Sequence, residues 1–309
     1  MLSLVTGVAG FVGSTLAERL RALGHDVRGV DCFTDYYARD IKEANLAKLR
    51  ADRGFELVTD DLASADMARL LDGVDHVFHQ AAQAGVRASW GTTFESYTRH
   101  NIDATQRLLE GIKGSRVKRL VYASSSSVYG QTLDLPMRET SRPKPFSPYG
   151  VTKLAAEHLV ELYRENFGVS AVSLRYFTVY GPRQRPDMGF HKFIARAQRG
   201  EKIPMYGDGR QTRDFTFIDD VVDANLLALK DGAEGVYNVG GGSRVTLEDV
   251  LATLGRIAGR PIEVERLGDQ PGDVQHTAAD TTLAREKLGY APKVTLEVGL
   301  RRQFEWQAL

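Results

Sequence analysis

Short runs of β-branched and apolar residues alternate with longer amphipathic segments through the first two-thirds of the chain. The short runs predict strands at Leu2–Thr6, Asp26–Asp31, Phe55–Thr59, His76–His79, Arg119–Ala123 and Val169–Leu174. The segments between them predict helices, among them Gly13–Leu23, Phe94–Lys113 and Tyr149–Phe167. Strands that alternate with helices form a parallel sheet covered by helices on both faces. We therefore predict an α/β fold with a doubly wound parallel sheet, whose ligands bind beyond the carboxyl ends of the strands.

The pattern changes after about Tyr180. Prolines and glycines interrupt residues 181–209 around one predicted helix, His191–Arg199. Further strands are predicted at Phe215–Ile218, at Gly235–Val239 and near Ile262–Val264. We predict a first domain over residues 1–177, to which the chain returns at about residues 215–240, and a smaller lobe over residues 178–309.

Charge and composition narrow the possible functions. The 309 residues include 40 Lys and Arg and 40 Asp and Glu, and this zero net charge favours neither nucleic acid nor a membrane surface as a partner. No apolar run approaches the ~18 residues that a membrane-spanning helix needs. Cys32 is the only cysteine, so no internal disulfide can form, and we expect a cytoplasmic protein. The seven histidines do not follow metal-ligand spacing, so we predict no metal site.

A glycine-rich turn lies between the first predicted strand and the first predicted helix. Its sequence is Gly7-Val8-Ala9-Gly10-Phe11-Val12-Gly13, with the glycines three residues apart. Glycines permit a tight turn and let backbone N–H groups approach a pyrophosphate, to which the helix N-terminus adds partial positive charge. We expect Gly7, Gly10, Phe11, Val12 and Gly13 to bind the pyrophosphate of a dinucleotide.

An acidic residue ends the second predicted strand. Asp31 lies about twenty residues beyond the glycines, where a carboxylate binds the adenosine ribose hydroxyls. Neither Cys32 nor Phe33 supplies a positive charge for a 2′-phosphate, so we expect NAD rather than NADP. Asp61 and Leu62 follow the third predicted strand and are expected beside the adenine; Asp60 fits a solvated turn equally well.

A tyrosine and a lysine share one face of a predicted helix. Ser147-Pro148-Tyr149-Gly150-Val151-Thr152-Lys153 begins this helix, and residues four apart lie one above the other. The Lys153 ammonium and the positive nicotinamide should lower the pKa of Tyr149 from its usual ~10, which would make it a base for redox chemistry. Ser124 to Ser127 follow the fifth predicted strand and bring hydroxyl groups to the same edge of the sheet.

Together these motifs resemble the extended short-chain dehydrogenase/reductase superfamily of sugar-nucleotide epimerases, dehydratases and decarboxylases, over essentially the whole chain. Further matching segments are His79-Gln80-Ala81-Ala82, Asn101, Tyr176-Phe177, Arg213-Asp214-Phe215 and Pro271-Gly272-Asp273. The resemblance implies a Rossmann-type NAD-binding domain followed by a sugar-nucleotide-binding lobe, and a homodimer formed through the helices at Phe94–Lys113 and Tyr149–Phe167. It also implies cofactor contacts from Ala81, Ala82, Asn101 and Tyr176, and contacts to a UDP-sugar from Tyr206, Arg213 and Asp273. Gln270 replaces an arginine of the family.

The residues after the fifth strand distinguish the branches of this superfamily. Dehydratases carry Thr-Asp-Glu and decarboxylases carry a glutamate where this chain has Ser125-Ser126-Ser127. Elimination lacks its proton shuttles without these carboxylates, whereas inversion at C4 needs only Tyr149, Lys153, a hydroxyl such as Ser125, and NAD. We expect reversible oxidation at C4 through a 4-keto sugar.

Two segments are similar to UDP-glucuronate 4-epimerases. They run from Ala84 to Trp90 and from Phe177 to Met188. The planar guanidinium of Arg185 suits the C6 carboxylate of a uronic acid. Arg87 is a second candidate for this carboxylate, and it fits a contact with the diphosphate as well. We expect Ser126, Ser127 and Thr178 to help Arg185 hold this carboxylate out of the alignment in which the 4-keto sugar loses carbon dioxide.

The same motifs also fit other functions. A UDP-glucose 4-epimerase would use the same mechanism on a neutral C6, although it would have little use for Arg185. A UDP-glucuronate decarboxylase, a dehydrogenase that releases NADH and a non-catalytic NAD-sensing protein also share the fold. The Tyr149–Lys153 pair argues against the last of these.

Overall fold

A seven-stranded parallel sheet forms the centre of the computed structural model, which describes residues 1–132, 134–268 and 274–309. Its strands are β1 (Leu2–Thr6), β2 (Asp26–Asp31), β3 (Phe55–Thr59), β4 (His76–His79), β5 (Arg119–Ser125), β6 (Ala171–Tyr176) and β10 (Gly235–Val239). Their order across the sheet is β3-β2-β1-β4-β5-β6-β10. The strand order reverses between β1 and β4, which is where ligands bind in such sheets. The predicted doubly wound α/β fold is confirmed.

Four of the six strands predicted in the first two-thirds have the expected bounds. The other two differ: β5 begins at Arg119 as predicted but continues to Ser125, and β6 spans Ala171–Tyr176, two residues later than predicted. The apolar pattern ends at Ala123, but Ser124 and Ser125 still pair with Arg175 and Tyr176 in the ladder. Strand pairing therefore carries polar residues to the carboxyl edge of the sheet.

Helices cover both faces of the sheet. They are α1 (Phe11–Ala22), α2 (Arg39–Arg50), α3 (Met67–Leu71), α4 (Phe94–Tyr97), α5 (Ala104–Ile112), α6 (Pro148–Phe167), α7 (Gly189–Arg199), α8 (Ile218–Leu227), α9 (Leu247–Ala258), α10 (Thr282–Leu288) and α11 (Leu296–Gln307). The single helix predicted at Phe94–Lys113 is wrong in detail, because a π-helical segment, Thr98–Asp103, separates α4 from α5. Such segments re-aim side chains and are frequent at functional sites. Helix α2, which lies between the second and third strands, is strongly charged but buries Leu46 and Leu49.

The second half of the chain adds two small sheets. Strands β7 (Thr178–Tyr180), β9 (Thr212–Phe217) and β11 (Arg244–Thr246) form one, and β8 (Ile203–Tyr206) pairs with β12 (Val264–Leu267) in the other. The strand predicted at Phe215–Ile218 is thus displaced, and it pairs with β7 and β11 rather than with the large sheet. The strand near Ile262–Val264 begins at Val264, where β8 pairs with it. The proposed division of the chain at residue 177 stays a prediction.

None of the helices in the described part of the chain is long and apolar enough to span a lipid bilayer.

A buried ion pair fastens helix α6 to the sheet. Glu157 of α6 and Arg175 of β6 are 2% and 4% exposed. Nε of Arg175 donates to Glu157 at 3.0 Å, and a second hydrogen bond from the guanidinium makes the pair bidentate. The hydroxyl of Ser124, on β5, also donates to the Glu157 carboxylate. One carboxylate thus holds a helix and two neighbouring strands together.

Replacing Glu157 with glutamine should leave the buried Arg175 guanidinium without a counter-ion. We expect Glu157→Gln to lower the free energy of unfolding by about 3–5 kcal/mol in urea titrations. Glu161→Gln is the matched control, because Glu161 lies one turn later on α6 and pairs with Arg164 at the surface, with side chains 25% and 27% exposed. Glu161→Gln should lower the free energy of unfolding by less than about 1 kcal/mol. Equal losses for the two variants would contradict the proposed role of the ion pair.

Candidate active site

A cavity of about 450 Å³ opens at the carboxyl ends of the central strands. Residues at or just after the ends of β1, β2, β4, β5 and β6 line it, among them Gly7, Asp31, Ala81, Ser125 and Tyr176. Tyr149 and Lys153 of α6 and Arg185 from the second half of the chain complete the wall. The cavity therefore lies where the sheet topology predicts a ligand.

The glycine turn brings two backbone segments into contact. Gly7 has φ +66°, and a Cβ atom built on it would lie 2.8 Å from the backbone N and Cα of Ala81. A Cβ atom on Gly13 would lie 2.2 Å from the carbonyl oxygen of Gly7. Helix α1 begins directly after the turn, at Phe11, with no side-chain cap and no acidic residue in its first turn. This cradle fits a pyrophosphate against a helix N-terminus, and Gly10, Phe11 and Val12 also line it.

Asp31 is held rigidly at the end of β2. One carboxylate oxygen accepts the N–H of Ala9 in the glycine turn at 3.0 Å, and the other accepts the N–H of Phe33 at 2.8 Å. A carboxylate offers about four acceptor positions, so Asp31 retains capacity for a ribose diol. The chain bends sharply after this strand, where Phe33 adopts φ +52°.

Asp61 and Leu62, predicted to lie beside the adenine, also line the cavity. The Asp61 carboxylate accepts hydrogen bonds from Arg99 at 2.7 Å and from the N–H of Ala63 at 2.9 Å. Potential metal-ligand atoms of Cys32, Asp61 and His100 lie within 4.8 Å of one another. We assign no metal to this group, because Arg99 already neutralises its only carboxylate.

Three more of the residues predicted to contact the cofactor line the cavity. Ala81 and Ala82 line it, as does Tyr176, whose hydroxyl accepts from Asn225 at 2.7 Å. Asn101, predicted to contact the cofactor, is not among the described residues that line the cavity. Its side chain is buried in the π-helical segment and bonds the backbone of Gln83 at 2.7 and 3.0 Å.

Asn101 also reaches helix α6. Its amide donates to the hydroxyl of Thr152 at 2.9 Å, and Thr152 directly precedes Lys153. Asn101 therefore joins the Gln83 loop, which lines the cavity, to the helix that carries Tyr149 and Lys153. This contact gives Asn101 a positioning role behind the site.

Local sequence signals explain where α6 begins. The side chain of Ser147 caps the helix by accepting the N–H of Gly150 at 3.1 Å, and Pro148 occupies the first helical position. Tyr149 and Lys153 consequently face the cavity together, opposite Ser125. Lys153 is 3% exposed, with Nζ 4.5 Å from the centre of the Tyr122 ring.

Burial controls the charge states of this pair. It raises the pKa of Tyr149 above its ordinary value, although the Ser125 hydroxyl and the Arg185 charge act in the opposite direction. It also lowers the pKa of Lys153 to about 7, against the effect of Glu157. The lowered tyrosine pKa expected from the sequence is wrong for the protein chain alone, because the cost of burying the charge is larger than the stabilisation by neighbouring groups.

Arg185 forms a paired structure inside the cavity. Its Nε and Nη2 atoms donate to the two carboxylate oxygens of Asp187 at 2.9 and 3.0 Å. The Tyr36 hydroxyl donates to the same carboxylate at 3.1 Å. All three residues line the cavity together with Tyr149. Neither Asp187 nor Tyr36 was predicted as a site residue; Asp187 lies in a recognised segment, but no local pattern links it to a tyrosine 151 positions away.

Of the remaining predicted substrate residues, Ser126, Ser127 and Thr178 line the cavity, as Arg185 does. Arg87, Tyr206 and Arg213 are not among the described residues that line it. The guanidinium of Arg87 lies 4.6 Å from the centre of the Tyr206 ring, so these two residues contact each other. Arg213 donates to the carbonyl oxygens of Thr212 and Gln275 at 2.9 and 3.1 Å. Asp273 and Gln270 lie outside the described residues.

Comparisons with known proteins agree with this geometry. The NAD dependent epimerase/dehydratase family matches residues 3–240. The chain is 41% identical to an uncharacterised UDP-glucose epimerase, YtcB, of Bacillus subtilis, over 99% of this chain and 98% of the relative. It is 37% identical to a UDP-glucuronate 4-epimerase of Thermodesulfobacterium geofontis, over 98% and 95%. A crystal structure of UDP-glucuronic acid 4-epimerase from Bacillus cereus with UDP-glucuronic acid and NAD superposes with a TM-score of 0.96, at 40% identity, over 100% and 99% of the two chains.

The glycine cradle generates a test of cofactor binding. In Gly7→Ala the new methyl group would push against the backbone of Ala81, so we expect the affinity for NAD to fall at least about tenfold. Gly24→Ala is the matched control, because Gly24 also has positive φ (+81°) but has nothing within 4 Å of an added Cβ.

Both variants should lose stability from backbone strain, Gly7→Ala more than Gly24→Ala because of its contact with Ala81, while only Gly7→Ala should lose NAD. Fluorescence titration with NAD measures the affinity and thermal unfolding measures the stability. Equal affinities of the two variants for NAD would contradict the assignment of the glycine turn to the cofactor site.

Proposed function

The chain belongs to the NAD dependent epimerase/dehydratase family, and on that basis we propose that it interconverts UDP-glucuronate and UDP-galacturonate by inverting C4. One observation carries the choice of substrate. The Arg185 guanidinium lines the same cavity as Tyr149, close enough for its charge to affect the pKa of the phenol. A positive group beside the catalytic tyrosine suits a sugar that carries a carboxylate next to the reacting carbons.

The described residues supply the proton chemistry of such a reaction. Tyr149 takes the proton of the C4 hydroxyl and later returns it, and the Ser125 hydroxyl, which faces the phenol, binds the C4 oxygen and relays the proton. Lys153 would stabilise the phenolate and bind the nicotinamide ribose. Bound NAD would supply reversible hydride transfer at C4, with removal and return on opposite faces of the sugar, so the overall reaction would be redox-neutral. NAD should therefore remain with the protein.

The hydroxyl groups opposite the tyrosine argue against elimination and decarboxylation. Ser125, Ser126 and Ser127 stand where dehydratases of the superfamily carry Thr-Asp-Glu and decarboxylases carry a glutamate, so this segment has no carboxylate. The 4-keto sugar is a β-keto acid, and it loses carbon dioxide fastest when the C5–C6 bond aligns with the carbonyl π system. Arg185, with Ser126, Ser127 and Thr178, would hold the C6 carboxylate away from that alignment.

We further propose a homodimer in the cytoplasm. Val151 and Leu162 of α6 are 50% and 52% exposed, and they share one face of the helix because they are three turns apart. Phe94 of α4 is also exposed, and the helices on either side of the π-helical segment pack against α6. Two copies of these helices would cover the apolar surface. A single cysteine without a disulfide partner suits a reducing compartment.

Product analysis without added cofactor tests the proposed reaction. UDP-glucuronate incubated with the purified protein should give UDP-galacturonate, with little UDP-pentose, and no NADH should accumulate. Mainly UDP-pentose would make the protein a decarboxylase, and stoichiometric NADH would make it a dehydrogenase.

Tyr149→Phe should lower kcat by at least about 10³-fold, because it removes the group that transfers the proton. Tyr163→Phe is the control: Tyr163 lies on the same helix, but its hydroxyl bonds Gln106 and Glu110 rather than facing the cavity. Near-normal turnover by Tyr149→Phe would overturn the assignment.

A further inference from the structure

The cavity contains a counter-ion for Arg185 that belongs to the protein. Asp187 binds the Nε–Nη2 edge of the guanidinium with two hydrogen bonds, and both side chains are only partly exposed, at 21% and 32%. A uronate substrate alone would not require this arrangement, because its own carboxylate would neutralise the arginine. Asp187 therefore calls for a different explanation.

We propose that Asp187 widens the substrate range: by neutralising Arg185, it lets the cavity accept UDP-hexoses with an uncharged C6 group, such as UDP-glucose, as well as UDP-glucuronate. This inference rests on the proposed C4 epimerisation. It adds a second class of substrate and assigns the residue that determines the preference between the two classes.

A neutral sugar needs the internal counter-ion. When the sugar fills the cavity it displaces water from the guanidinium, and a buried charge without a partner is strongly unfavourable. Asp187 remains bound to Arg185 in that state, so no unpaired charge is created. Burial opposes the ionisation of Asp187, but the charge and hydrogen bonds of Arg185 hold its pKa below the ordinary value, so the pair stays ionised at neutral pH.

Arg185 can also bind a uronate while it is paired with Asp187. A guanidinium carries five N–H donors, and Asp187 takes one on Nε and one on Nη2. Three donors remain, one on Nη2 and two on Nη1, and the Nη1–Nη2 edge has the spacing to bind a second carboxylate bidentately. Arg185 can thus bind a substrate carboxylate without releasing Asp187.

Tyr36 holds the counter-ion in place. Its hydroxyl donates to Oδ2 of Asp187 at 3.1 Å, and the guanidinium carbon of Arg185 lies 5.8 Å from the centre of its ring. Tyr36 itself packs closely against the loop before α4, where a Cβ atom on Gly85 would lie 2.1 Å from the phenol oxygen. The Asp187 carboxylate is therefore braced against a part of the protein distant in sequence.

Steady-state kinetics with two substrates tests the proposal. The wild-type protein should epimerise both UDP-glucuronate and UDP-glucose. In Asp187→Asn the ratio of kcat/KM for UDP-glucuronate to that for UDP-glucose should rise at least about tenfold, mainly because turnover of UDP-glucose falls. Asp187→Glu keeps the charge and should restore a ratio close to that of the wild type. Tyr36→Phe, which keeps the ion pair and removes only a neutral donor, should change the ratio less than about threefold.

A double variant keeps the test decisive if Asp187→Asn does not fold. Arg185→Gln/Asp187→Asn removes both charges and leaves none unpaired, so it should lose UDP-glucuronate turnover and retain UDP-glucose turnover, with a ratio below that of the wild type. A wild-type ratio in either variant would overturn the role of Asp187.

The outcomes also separate this inference from the proposed function. A wild-type protein that turns over UDP-glucuronate but not UDP-glucose would overturn only the wider substrate range. A wild-type protein that is inactive on UDP-glucuronate would overturn the proposed function, and this inference with it.

Discussion

The buried contact of Glu157 with Arg175 and Ser124 is the interaction on which the geometry of the site depends. Each partner lies next to a residue of the cavity wall. Glu157 is one helical turn after Lys153, Arg175 precedes Tyr176, and Ser124 precedes Ser125. One carboxylate, 2% exposed, therefore sets the distance between the catalytic helix and the two strands that face it. It is also the charge that keeps the pKa of buried Lys153 from falling further.

Charge compensation is the second principle of the cavity. Three of the carboxylates that line it are bound before any ligand arrives: Asp31 by backbone N–H groups, Asp61 by Arg99, and Asp187 by Arg185 and Tyr36. Such a cavity places charged groups around a substrate without leaving a buried charge unpaired, which would cost several kcal/mol. Pre-arranged partners also reduce the rearrangement needed when a charged ligand binds.

In the proposed reaction, Arg185 would link substrate recognition with proton transfer. It lines the same cavity as Ser126, Ser127 and Thr178, and its charge favours the ionised form of Tyr149. A change in the charge around Arg185 should therefore affect both the choice of substrate and the ease of removing the C4 proton. Asp187 binds Arg185 and is itself bound by Tyr36. Asn101 similarly binds Thr152, the residue before Lys153.

Local patterns in the sequence determined the alternation of strands and helices, the glycine turn and the Tyr149–Lys153 spacing, because each depends only on neighbours along the chain. The same patterns stopped β5 two residues early, since strand pairing there overrides local polarity. Tertiary structure alone decided that Asp187 meets Tyr36, that Asn101 lies behind the cavity, and that Lys153 has a pKa of about 7. These features arise from contacts between distant residues and from the loss of solvent around buried charges, neither of which is encoded in any short stretch of the chain.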